Sequence, residues 1–170
     1  MNLIWPLLVL GGATAAHALE EDVTKLSTTE GTYVRLQEAF RARPSVLFYE
    51  DKDSTQLNQA LKDALFAAGK KNNLLDAVSI VAVANVQAYD WFPARNFVVS
   101  AVKDTEKKVG VPVYLDWTGE LTKKPWSLAP NTSTVVILDR TGAVKWSHKG
   151  KLSAAEVDEA LALIGKLLGP

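Results

Sequence analysis

No cysteine occurs in the 170-residue chain, and that absence removes disulfides, thiol redox catalysis and cysteine metal sites together. The core must be held by packing. Histidine is nearly as scarce, with two in the chain. His17 falls in a leader-like segment and leaves His148 alone, so metal centres needing several imidazoles are excluded and a Ser-His-Asp triad has one possible base. Neither sign of charge prevails: 19 basic residues balance 19 acidic ones, without a long block of either. That pattern disfavours nucleic acid and anionic membranes as partners. The leading reading expects no cofactor and no bound metal.

Apolar runs are short throughout. Leu3 to Val9 form an apolar stretch interrupted by Pro6, and the small residues from Gly11 to Ala18 follow with signal-peptidase spacing. A bilayer span needs about 20 apolar residues, so the segment reads as a cleavable leader over residues 1–18, cut after Ala16-His17-Ala18. The remaining 19–170 have the usual size of one domain, about 150 residues. Export with cleavage would leave a mature chain with no membrane span.

Strands and helices alternate along that domain. Ser45 to Tyr49 is a short run of β-formers after Pro44 and reads as a buried strand. A helix is expected from a cap at Asp53 or Ser54, through Leu57, Leu61 and Leu65, to Gly69 as its C-terminal stop. Ala77 to Ala84 is apolar on both faces, as a central strand parallel to the first would be. Pro93 opens a helix running to Val109, with Val98, Val99, Val102 and Val109 as its buried stripe and Gly110 after it. Val111 to Leu115 is extended, and Pro112 confines it to a strand start or an edge.

The closing block is the most regular. Val135 to Leu138 form a central strand, Asp139-Arg-Thr-Gly142 a turn, and Val144 and Trp146 the inward positions of a half-exposed strand. Ser153 and Glu156 have capping-box spacing, ahead of a helix with Val157, Leu161, Ile164 and Leu168 on one face. Strand, helix, strand, helix, strand, strand, helix is the order of an α/β three-layer sandwich: a mixed central sheet, helices on both faces and a C-terminal ββα unit. That arrangement is thioredoxin-like.

Trp126-Ser-Leu, the block Ser133 to Trp146 and the block Gly150 to Val157 resemble the YtfJ family of exported bacterial proteins. The resemblance is closest from about Trp126 to Leu168, looser from Ser45, and only one of length and character over Leu19 to Arg43. It implies a periplasmic thioredoxin-like domain of undefined role and transfers no catalytic residues. In that fold the reactive cysteines sit between the first core strand and its helix, here Glu50 to Gln56. By spacing from Asp139, Ser133 stands where the fold usually has a cis-proline.

Two functional readings follow. The first is a non-redox binding or accessory protein whose unknown periplasmic partner or small ligand is met by Asp51, Asp53, Ser54, Thr55, Trp91, Phe92 and Ser133. Tyr89, Trp91, Phe92, Trp117 and Trp126 all fall in loops, where they form either a binding patch or a satellite core. The alternative is a Mg²⁺-dependent phosphatase-like hydrolase. Asp51-Lys-Asp-Ser-Thr55 has the D-x-D-x-T form in which Asp51 would be nucleophile and Asp53 acid/base, but of the second acidic pair such an enzyme needs after a later strand the chain offers Asp139 alone, followed by Arg140. His148 reads as a surface residue.

Overall fold

Six consecutive residues, Ser45 to Glu50, are buried on both sides, which only a strand with neighbours on its edges and layers on its faces can be. The computed structural model describes residues 24–169 apart from 73, so the leader expected over 1–18 lies outside the described residues. Strands β1 (Lys25–Ser27), β2 (Tyr33–Arg35), β3 (Ser45–Glu50), β4 (Ser79–Asn85), β5 (Val113–Asp116), β6 (Thr134–Leu138) and β7 (Val144–Lys149) form one sheet in the order β2-β1-β5-β4-β3-β6-β7. β3 pairs parallel with β4, and β4 with β5, whereas β6 runs antiparallel to β3 and β7 to β6. The sheet is mixed, as expected. The helices are α1 (Leu36–Phe40), α2 (Gln59–Asn72), α3 (Leu74–Ala77), α4 (Ala94–Val109) and α5 (Ala154–Leu168). Among the described residues no helix is long and apolar enough to cross a membrane.

Each face of the sheet has its own core. On one, Leu36 and Phe40 of α1 pack with Leu47, Tyr49, Val81, Val83, Val136 and Leu138, and Leu121 and Trp126 of the segment after β5 complete the layer. Asp116 pins that segment by accepting the Glu120 and Leu121 amides at 2.8 and 3.0 Å and the Tyr49 hydroxyl at 3.2 Å. Burial, and then the Asp116 charge, push the Tyr49 phenol upward. On the other face, α2 and α5 cover Val46, Phe48, Val135 and Ile137. Full burial of one such aliphatic side chain contributes up to about 3 kcal/mol.

Four expectations change in detail. α2 starts at Gln59, not at Asp53 or Ser54, because the Thr55 carbonyl accepts Lys62 Nζ at 2.7 Å and the chain before Gln59 is held by tighter turn bonds such as Leu57 N to Ser54 O. Nor does Gly69 stop the helix. It is buried, one turn beyond the buried Leu65, and α2 continues to Asn72. In β7 a bulge between Val144 and Trp146 shifts the register, so Trp146 and His148 turn inward while Val144 is 50% exposed. Finally, no residue of α4 is buried and Val109 is 41% exposed, although the Gly110 cap forms as read, in the left-handed region with its amide on the Glu106 carbonyl.

The cap and the turn of the closing ββα block form as their patterns indicate. Ser153 and Glu156 make both capping-box bonds, and Ala160 and Ile164 are the most buried residues of α5. In the β6–β7 turn Asp139 accepts the Thr141 hydroxyl and the Thr141 and Ala143 amides at 2.6 to 3.1 Å, and Lys145 lies 2.9 Å away. Partial desolvation opposes ionisation there, but these donors outweigh it and lower the carboxyl to about 2. A depressed acid stabilises the fold above its unfolded pKa, near 3.8, and that contribution is lost as pH falls through the folded value. Asp139→Asn should therefore lower the unfolding midpoint at pH 6, with the difference from the parent closing as pH approaches 2. Urea titrations across pH 2–7 check this.

Candidate functional site

The C-terminal end of β3 meets the start of α2 where a thioredoxin-like fold would hold its cysteines. Glu50, the last residue of β3, is 8% exposed. Its Oε1 accepts the Ser133 hydroxyl at 2.8 Å and its Oε2 accepts Lys62 Nζ at 2.6 Å. Asn58 then donates to Ser133 Oγ at 2.7 Å and to the Gly150 carbonyl at 3.0 Å, while its Oδ1 takes the Leu152 amide at 2.9 Å. Glu50, Asn58 and Ser133 are all buried. The network thus bolts the head of α2 to β3, to the chain entering β6 and to the β7–α5 connection. Desolvation raises the Glu50 carboxyl above its ordinary value, against the opposing pull of Lys62 and the Ser133 hydroxyl.

Asp51 to Thr55 form a closed turn. Asp51 Oδ1 accepts the Asp53 and Ser54 amides at 3.1 and 2.9 Å, and Ser54 Oγ accepts the Asp51 amide at 2.9 Å. Ser54 is buried by this folding back and Asp53 is exposed. The phosphatase alternative finds no support in the layout. β6 is antiparallel to β3, with Ser45 opposite Leu138 and Tyr49 opposite Thr134, so Asp139 lies at the far end of β3 from Asp51. Six strand residues separate the two ends by roughly 20 Å at about 3.3 Å per residue. His148 likewise serves no triad, for its Nδ1 is 3.2 Å from Glu156 and its ring stacks on Trp146, whereas the Ser133 hydroxyl turns to Glu50. It is half-buried rather than a surface side chain.

Beside the Glu50 network opens a cavity of about 830 Å³, within the usual range for small-molecule sites, roughly 300–1,000 Å³. Its floor is the outward side of the sheet: Phe48, Ile80, Ala82, Ala84 and Val113. One wall is α2, through Gln59, Lys62, Leu65 and Phe66, and the other is α4, through Ala94, Phe97, Ala101, Thr105 and Val109. α4 is clamped near both ends. At the first end Arg95 stacks over Trp117 at 4.3 Å and pairs with Asp90 at 2.6 Å. At the second, Glu106 accepts the Thr29 hydroxyl and the Val113 amide, both at 2.8 Å, and Lys103 reaches Glu30 at 2.8 Å. Val98, Val99 and Val102 touch the small cluster of Val86, Leu115 and Trp117, and the rest of the apolar arc faces open space.

The loop aromatics divide accordingly. Trp117 is buried under Arg95, and Trp126 joins the main core against Phe40 at a ring separation of 6.2 Å. Trp91 is 59% exposed and lines the cavity, whereas Phe92, 84% exposed, does not line it. Of the residues singled out from the sequence, Asp51, Thr55 and Trp91 line one cavity together. Ser133 stands behind it, one hydrogen bond away through Glu50. Phe97, 72% exposed in the α4 wall, and the Asn58–Lys62 side of α2 were not anticipated. Phe97 lies four residues before Ala101, so a second apolar arc beside the valines was visible in the helical spacing.

A sheet with parallel β3 and β4 at its centre, an antiparallel β6–β7 hairpin and a closing helix give this protein a thioredoxin-like fold, here in a chain without cysteine. The chain belongs to the family described as "Bacterial protein of unknown function (YtfJ_HI0045)", whose model matches residues 50–167. It is 31% identical over 72 residues to the uncharacterized protein YtfJ of Escherichia coli K12, an alignment covering 42% of this chain and 39% of that protein. Solved structures share the fold. A putative thiol:disulfide interchange protein DsbE from Chlorobium tepidum superposes with a TM-score of 0.61 at 17% identity, over 86% of this chain and 93% of that one. The exposed lipoprotein thioredoxin Etrx1 of Streptococcus pneumoniae gives 0.59 at 16% identity, over 84% and 98%. At such identities the likeness is one of fold.

Proposed function

We propose that the chain is an exported, non-redox binding protein of the periplasm, which uses the cavity between α2 and α4, with Asp51, Thr55 and Trp91 at its mouth, to hold a small ligand or an apolar segment of a partner. One observation carries the reading. The place that would need a thiolate is the closed turn from Asp51 to Thr55, braced from behind by Glu50, Ser133 and Asn58, while an open apolar cavity lies directly beside it. A network with its donors and acceptors matched is rigid, so it serves as a fixed end wall. The small-residue cleavage site after Ala18 supports export, and one structural neighbour is itself named an exposed lipoprotein.

Purified mature protein should neither reduce insulin with dithiothreitol nor consume hydrogen peroxide above the buffer rate. Turnover in either assay would sink the non-redox reading. N-terminal sequencing of protein from the periplasmic fraction should begin at Leu19; recovery of the uncut chain in the cytoplasm would overturn export.

A further inference from the structure

The charged part of the lining gathers on one side. At the mouth, where the C-terminal end of β3 meets the head of α2, stand Glu50, Asp51, Lys52, Thr55 and Lys62, whereas Trp91, Phe97, Phe66, Ile80 and Val109 line the remainder. β4 is hydrogen-bonded to β3 on one side and β5 on the other, so the floor has its amides and carbonyls already paired, and Ile80, Ala82 and Ala84 add no polar atom. An extended peptide laid there would bury N–H and C=O groups without partners. An alkyl chain has no such groups to satisfy, and the cavity, about 830 Å³, is of small-molecule size, roughly 300–1,000 Å³.

The charges at the mouth decide the head. The lining there carries two acids, Glu50 and Asp51, and two bases, Lys52 and Lys62, and the Glu50–Lys62 pair is already closed at 2.6 Å. A carboxylate or an ammonium entering this balanced set finds no net attraction and must still shed water. Hydroxyls can accept from a lysine and donate to Asp51 at little cost. Building on the binding reading above, we propose that the cavity takes a single-chain amphiphile, its alkyl chain lying along α4 and its uncharged, hydroxyl-bearing head at the mouth beside α2.

The test is titration of purified protein with monolauroylglycerol below its aggregation threshold, followed by calorimetry and by displacement of Nile red. Laurate and dodecyltrimethylammonium, which share the chain length but carry charged heads, are the comparisons. Monolauroylglycerol should saturate at one molecule per chain and bind at least about tenfold more tightly than either charged analogue. Ala101→Leu and Ala101→Phe, which fill the cavity from an exposed position on α4, should weaken it at least about tenfold while unfolding at the parent's temperature or above. Equal or tighter binding of laurate or the cation overturns the assignment of the head. Monolauroylglycerol binding that both Ala101 variants leave unchanged overturns the site. If monolauroylglycerol fails to bind while Nile red still reports an Ala101-sensitive cavity, the lipid proposal falls and the binding reading stands. If Nile red also fails, both fall.

Discussion

Asn58→Ala should lower the unfolding free energy by about 3–5 kcal/mol, a large part of the roughly 5–15 kcal/mol that holds a domain of this size. Asn58 is 2% exposed and serves three partners at once. Truncation leaves the Leu152 amide and the Gly150 carbonyl without their partner and deprives Ser133 Oγ of a donor. Each buried group left unpaired costs about 1–3 kcal/mol, because the desolvation already incurred on folding is no longer offset. The loss also uncouples α2 from the β7–α5 connection, a contact across 94 residues of chain. Thr55→Ala, on the exposed side of the same turn, is the control and should change stability by less than about 0.5 kcal/mol. Guanidinium denaturation of both variants decides the matter. A loss below about 1 kcal/mol for Asn58→Ala would mean that water replaces the amide and that the network is no rigid wall.

Chemistry of this kind was only partly legible in the sequence. The strands were readable because Val46 to Tyr49, Val81 to Val83 and Val135 to Leu138 are short β-forming runs, and the closing ββα block because its cap and stripe are local patterns. What escaped depends on contacts distant in sequence. Asn58 lies within an apparently ordinary amphipathic helix start, and nothing local reveals that its partners are Ser133, Gly150 and Leu152. The standing of Ser133 as an interior residue follows from Glu50, 83 positions away. Valine spacing in α4 indicated a buried stripe, and Val98, Val99 and Val102 do rest on a small cluster, yet Phe97, Ala101 and Val109 of the same apolar arc face a cavity. Periodicity shows which side of a helix is apolar, not how closely the next layer approaches. The bulge at β7 is a similar case: one extra residue reverses which side chains turn inward, and alternation alone placed Val144 inside.

Lys62→Met should destabilise the protein in a pH-dependent way, by about 3 kcal/mol at pH 8 and by little at pH 4. Both members of the Glu50–Lys62 pair are largely buried, with side chains 10% and 19% exposed, and removing one partner of such a pair leaves the other as an uncompensated charge. Desolvation already raises Glu50 above its ordinary pKa of 4.5, and Lys62 is the largest influence limiting that rise. Without the ammonium the folded-state value climbs further. Between the unfolded and folded values the native state holds a proton that the unfolded chain has released, so stability falls as pH rises through that window. The parent loses some stability there and the variant more, and the gap between them widens up to the variant's own folded pKa. At pH 4 the carboxyl is protonated in both and Met preserves most of the stem's packing against Phe48, over whose ring Lys62 Nζ sits at 5.3 Å. Adding Glu50→Gln to the variant removes the stranded charge while keeping an oxygen for the Ser133 hydroxyl, and should restore most of the loss at pH 8. Urea denaturation of parent, single and double variants at pH 4, 6 and 8 separates the cases. A cost independent of pH, or a double variant no more stable than Lys62→Met, would show that Lys62 acts through packing and not by neutralising Glu50.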